Sequence, residues 1–147
     1  MNSHTFARAP SFDHITRPDA ASAADENFGL AMVQYLKIKA ENQDYVLFFR
    51  FGDFYLLFFN DAEVAAKCAG MALKLAKYGE NDLHICGVPV EAGDLYMQRL
   101  VRAGLSLAIC EEVELLAYAR KRGAPFVVRR EVVRLIRPSL WGEARPR

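Results

Sequence analysis

Between positions 45 and 59 the chain runs almost without a polar break. Residues 45–51 and 54–59 are apolar and aromatic-rich, and only Arg50 and Gly52-Asp53 interrupt them. Two such runs separated by two residues, with glycine first, predict a tight antiparallel hairpin, because glycine leads one of the turn types that match strand twist. Alternation then puts Phe54, Leu56 and Phe58 on one face and Tyr55, Leu57 and Phe59 on the other. A helix continuing from Asp53 is the competing reading of the second run.

Upstream, Asp25 or Asn27 can cap a helix running to about residue 42, with Leu30, Val33, Leu36 and Ile38 near one face. Downstream, the Ala-rich residues 61–69 suit a helix ended by Gly70. Residues 71–75 and 83–88 are strand-like and joined by a turn over 78–82, with Pro89 ending the second strand. Helical spacing returns over 92–103 through Leu95, Tyr96, Leu100 and Val101, and Gly104 closes it. A buried strand over 105–113, a short helix over 114–122 and a last strand over 127–136 complete the order. Helices and strands alternate without internal repeat, so the fold class is α/β or α+β: a central mixed β-sheet flanked by helices.

With 147 residues, 52% of them hydrophobic, the chain can build one domain of ordinary core size. Residues 1–24 are polar, Ser- and Ala-rich and aperiodic, which predicts a flexible leader before a domain over 25–138 and a basic tail over 139–147. No apolar run approaches the roughly 20 residues that cross a bilayer. The leader lacks an apolar signal core, so the expected location is cytoplasmic, with an organellar presequence left open. Cys68, Cys86 and Cys110 are odd in number and far apart, and read as reduced, buried small hydrophobes.

Charge refines this picture. The net charge is +1, yet residues 117–147 hold nine Lys or Arg against Glu131 and Glu143. That basic end could meet phosphates or simply be solvated. His4, His14 and His84 have no zinc spacing, and Glu111, Glu112 and Glu114 read as a solvated strand edge. No nucleophile, base and orienting group fall together, so neither an enzyme, a metal nor a cofactor is expected.

Several separated motifs occur in one order: Gln34-Tyr35-Leu36-x-x-Lys39-Ala40, Phe49-Arg50-x-Gly52-Asp53-Phe54-Tyr55, Phe58-x-x-Asp61-Ala62 and Cys86-Gly87-Val88-Pro89. Tyr96-x-x-x-Leu100, Ala108-x-Cys110-Glu111 and Arg129-x-x-Val132-Val133-Arg134 follow. From about Met32 to Pro138 this pattern resembles the N-terminal mismatch-recognition domain of the MutS family. The resemblance implies a DNA-binding module for mispaired duplex, in which Phe54 stacks on a mispaired base as a minor-groove wedge. It also implies further DNA contacts at position 56 and at the basic Arg50, Arg129 and Arg130. A wedge selects mispairs because unstacking a step costs a few kcal/mol in intact duplex and less where pairing has failed.

The chain departs from the family at reading positions. Leu56 stands where the family pattern Gly-Asp-Phe-x-Glu has its carboxylate, and a leucine can pack but cannot accept a hydrogen bond from a base. Glu91 stands for a His and Glu112 for a Gln, and Lys74-Leu75-Ala76-Lys77 replaces a basic Thr-Lys-Arg-Gly turn. The Gly-rich phosphate loop of the family's ATPase domain is not among these 147 residues. Two further expectations therefore stand beside DNA binding by a monomer. One is a non-enzymatic interaction module that uses the apolar hairpin face against a protein partner, and the other is a truncated product.

Overall fold

The computed structural model describes residues 26–138. Most of the domain expectation lies within these limits, whereas the leader, His4, His14, Asp25 and the basic tail fall outside the described residues.

Helix α1 (Phe28–Ala40) starts where Asn27 Oδ1 accepts from the Leu30 N–H at 2.8 Å, satisfying one of the orphan donors of the first turn. Strands β1 (Val46–Phe51) and β2 (Phe54–Phe58) form the expected hairpin, in register Phe51 to Phe54 and Phe49 to Leu56. Gly52 takes φ +64°, a value that favours glycine and makes the two-residue turn possible. Helix α2 (Phe59–Ala69) ends at Gly70 in the left-handed conformation, as expected.

The hairpin of β3 (Leu73–Tyr78) and β4 (Asn81–Pro89) turns more tightly than expected, since Tyr78 and Asn81 already pair and only Gly79-Glu80 lie between them. A 3-10 turn (Val90–Ala92) leads into α3 (Gly93–Arg102), and β5 (Leu107–Glu112), α4 (Leu116–Arg120) and β6 (Arg130–Ile136) follow. The six strands form one sheet in the order β3-β4-β2-β1-β5-β6. Only β1 and β5 run parallel, so the sheet is mixed.

Central strands explain the unbroken apolar runs, because a strand covered on both faces has no polar side. Val46, Phe48, Tyr55, Leu57, Leu107 and Ile109 face α2 and α3, where Ala62, Ala65, Tyr96 and Leu100 meet them. Leu47, Phe49, Leu56, Phe58, Ala108 and Cys110 face α1. Tyr35 of α1 sets its ring edge-on to Phe49 and Phe58, with centroids 5.5 and 4.7 Å apart.

Three local expectations need correction. The face of α1 that packs is Ala31, Met32 and Tyr35, with Phe28 and Ile38 half-buried, while Leu30, Val33 and Leu36 are exposed. Tyr35 and Met32 offer more contact area than the alternative stripe, and the sheet offers aromatic partners for the ring. Phe59 does not continue β2; it takes φ +56° and opens α2, so the alternation stops at Phe58. Cys68 is exposed, whereas Cys86 and Cys110 are buried as read, and burial pushes both of those thiols up to about 12.

Thiol titration checks this arrangement. With an excess of a disulfide reagent at neutral pH the native protein should react at one thiol, Cys68, and all three should react after unfolding in urea. Rapid reaction of two or three thiols in the native state would contradict the burial.

Candidate functional site

The topology collects one end of the sheet into a small polar cluster around the β1–β2 turn. Because β1 and β5 are parallel, Glu111 and Glu112 at the end of β5 lie beside Arg50 and Phe51 at the end of β1. Antiparallel pairing adds Arg130 opposite Glu112, and Pro89 opposite Phe54. Phe54 therefore sits at the exposed tip of the hairpin as the first residue of β2. It is half-buried and packs at the margin of the α1-side core.

Two residues further along β2, Leu56 is only 1% exposed. It faces α1 together with Phe58, so position 56 serves as core and offers nothing polar to a ligand.

The three arginines at this end have different surroundings. Arg130 has no exposed side-chain surface, and its guanidinium is fully engaged. Nη1 and Nη2 bind Glu26 at 2.7 and 2.9 Å, Nη2 also reaches Glu112 at 3.0 Å, Nη1 reaches Gln34 at 2.8 Å, and Nε donates to the Arg50 carbonyl at 2.6 Å. The group lies over the Phe49 and Phe51 rings, 4.8 and 5.2 Å from their centroids. In this conformation it cannot reach a phosphate.

Arg50 is half-buried; Nη1 binds Glu111 at 2.9 Å and Nε donates to the Gly52 carbonyl at 2.6 Å. Arg129 is exposed; its backbone N–H donates to Glu114, and its charge adds to the lowering of the Glu114 pKa.

The carboxylates correct the expectation of a solvated edge. Strand β5 is internal to the sheet, between β1 and β6, and each glutamate is committed to a partner. Glu111 accepts from Arg50 and from the Tyr55 hydroxyl. Burial, followed by that hydrogen bond, pushes the Tyr55 phenol up to about 12. Glu112 accepts from Arg130 and from the Gly52 N–H at 2.8 Å. Glu114 forms a two-pronged pair with Arg122, and the hydrogen bond from Arg122 holds its carboxyl down at about 2.

Sequence reasoning missed Glu26 altogether, since it sits just ahead of α1 and its pairing spans 104 positions. It named Gln34 only as part of a motif; here Gln34 bridges Arg130 and the Val128 carbonyl at 2.9 Å.

The apolar hairpin face proposed for a protein partner is already covered within the chain. The Leu56 and Phe58 side meets α1, and the Tyr55 and Leu57 side meets α2 and α3. Among the described residues no group of three or more His, Cys, Asp and Glu could hold a metal ion, and no helix is long and apolar enough to cross a membrane.

Comparison with known proteins matches the sequence to a family. Residues 30–144 match the family model for MutS domain I, a span that reaches past Pro138 into the C-terminal segment. The chain is 53% identical over 113 residues to the DNA mismatch repair protein MutS of Nitrobacter winogradskyi, covering 76% of this chain and 13% of that protein. It is 51% identical over 109 residues to the protein of the same name from Bartonella quintana, covering 74% of this chain and 12% of that protein. With the MutS of Cereibacter sphaeroides the identity is 46% over 126 residues, 85% of this chain and 14% of the relative. The chain thus spans only a small fraction of the length of these curated relatives, and over that fraction it belongs to the MutS domain I family.

Proposed function

We propose that this chain is a non-enzymatic DNA-binding module that favours mispaired duplex, with Phe54 as a wedge. The observation that carries the reading is the place of Phe54 on a domain of this family: a half-buried aromatic ring directly after the exposed Gly52-Asp53 turn of the β1–β2 hairpin. A wedge needs a ring held at the protein margin where a base step can meet it, and stacking returns on the order of 1–3 kcal/mol per base.

Leu56 shapes the rest of the proposal. With no carboxylate beside the ring, selectivity rests on deformation cost, so preference should follow how easily a mispair unstacks and not which base is present. Phosphate attraction is thin at this end, because Arg50 and Arg130 are spent on internal acceptors and Arg129 is the arginine left to position the backbone.

Fluorescence anisotropy with a mispaired and a fully paired duplex of the same length tests this. The native chain should bind the mispaired duplex more tightly, and Phe54→Ala should abolish the preference by weakening mispaired binding about tenfold or more. Arg129→Ala should weaken both duplexes equally. Equal affinity for the two duplexes, unchanged by Phe54→Ala, would sink the wedge.

A further inference from the structure

We infer that Glu112 and Arg50 are positioning residues that clamp the Gly52-Asp53 turn and so fix the height and direction of the Phe54 ring. This inference rests on the wedge reading of Phe54, and it adds residues that the reading does not itself supply.

The turn needs an external hold. Gly52 is exposed, a Cβ placed on it would touch nothing within 4 Å, and glycine at φ +64° is the residue least restrained by its own sterics. The hold comes from both sides of one residue: the Gly52 N–H donates to Glu112 Oε2 at 2.8 Å, and the Gly52 carbonyl accepts from Arg50 Nε at 2.6 Å. Beyond the turn, the Val90 N–H donates to the Asp53 carbonyl at 3.0 Å. The peptide units leading into Phe54 are thereby tied to β5, β1 and the segment after β4.

The clamp is anchored in the interior. The same Glu112 oxygen that holds Gly52 accepts from Arg130 Nη2 at 3.0 Å, and Arg130 is fixed by Glu26 and Gln34. Arg50 is braced in the same way by Glu111, which also takes the Tyr55 hydroxyl. The charge on Glu112 strengthens its bond to the turn, since a hydrogen bond with an ionised partner is roughly twice as strong as a neutral one.

Geometry of this kind matters for a wedge more than for a general DNA contact. A ring that must be ordered on binding loses part of its stacking gain to that ordering, whereas a preset ring keeps it. Phosphate contacts made by a flexible arginine carry no such requirement. The clamp should therefore govern the preference for mispaired over paired duplex and leave paired-duplex affinity unchanged.

The test uses the full 147-residue chain as Glu112→Ala, Glu112→Gln and Arg50→Met, with two readouts. Amide hydrogen exchange at Gly52 reports the clamp alone, and anisotropy with mispaired and paired duplex reports recognition. In Glu112→Ala the Gly52 amide should exchange about tenfold faster or more, and the preference should fall to that of Phe54→Ala while paired affinity stays the same. Glu112→Gln keeps an acceptor oxygen without the charge and should fall between the parent and Glu112→Ala in both readouts. Arg50→Met leaves the Arg130 network intact, so it should lower the preference even if Glu112→Ala proves too unstable to study.

Unchanged Gly52 exchange in Glu112→Ala overturns the clamp, whatever the DNA does. Preserved preference in Glu112→Ala or Arg50→Met despite a freed turn overturns the positioning role. Faster exchange in a chain that never preferred mispaired duplex defeats the wedge reading instead, and the two failures are thereby told apart.

Discussion

Replacing Arg130 with Met should lower the unfolding free energy by about 3–5 kcal/mol, the range for breaking a buried ion pair from one side. The side chain has no exposed surface, and each of the five guanidinium N–H groups has an acceptor: the Arg50 carbonyl, both oxygens of Glu26, Gln34 and Glu112. Methionine would fill much of the space between Phe49 and Phe51 but would strand the Glu26 and Glu112 carboxylates, one of them 5% exposed. The loss is mainly the desolvation of what remains. For that reason the triple variant Arg130→Met, Glu26→Gln, Glu112→Gln should recover a large part of the stability. Lysine should not rescue, because a point charge cannot reproduce the fork that meets Glu26 with two bonds. Urea unfolding measures all of these; a shift of the midpoint by more than about 1 M is expected for Arg130→Met. An Arg130→Met variant within about 1 kcal/mol of the parent would mean that the cluster is decorative.

That a basic residue in a basic segment should be a pillar of the interior was not legible from its neighbours, and the reason is a β-bulge. From Leu107 to Ile109 the partners on β6 are Ile136, Leu135 and Arg134, but Cys110 pairs with Val132, so Val133 is extra. The inserted residue reverses which side chains point toward α1, and it is the reversal that turns Arg130 inward beside Phe49 and leaves Arg129 outside. Strict alternation read from the sequence has no access to such a slip. The hairpin was legible for the opposite reason: long apolar runs, a two-residue break and a leading glycine all agree on one structure. Helix α1 stands between these cases. Its helical character is plain, but apolar residues occur around most of its circumference, so periodicity alone does not choose between the Leu30 stripe and the Tyr35 stripe; the aromatic floor of Phe49 and Phe58 does.

The candidate site divides along the same line. The sequence singles out Phe54 as a candidate and shows the missing carboxylate at position 56, because a motif fixes both positions by local spacing. It did not identify the clamp of Glu112 on Gly52, whose partners are 60 positions apart, nor the pairing of Glu111 with Tyr55. These contacts exist only once the parallel pairing of β1 with β5 has brought the two strand ends together.

The second large effect is expected at Asp61, where the family motif Phe58-x-x-Asp61-Ala62 becomes a structural joint. Its buried carboxylate accepts from the Leu47 N–H at 3.0 Å and pairs with Lys39 Nζ at 2.9 Å, and Lys39 also donates to the Tyr45 carbonyl. One carboxylate thus joins the first turn of α2, the start of β1 and the last turn of α1. It also reinforces burial, the larger cause, in raising the pKa of the Tyr35 phenol. Asp61→Ala leaves a buried backbone N–H without its acceptor and a half-buried ammonium without its counter-charge, and should cost about 3 kcal/mol. Asp61→Asn keeps an oxygen for Leu47 but loses the charge, so it should cost roughly half as much. Crossing Asp61→Asn with Lys39→Met in a double-mutant cycle, read by urea unfolding, should give a coupling of about 1–2 kcal/mol, and a coupling near zero would show that the pair merely coexists. Because Asp61 lies at the opposite end of β1 from the Gly52 turn, the folded fraction of each variant should keep the duplex preference of the parent. Loss of stability with retained preference is what separates this joint from the clamp, where the preference itself should fall.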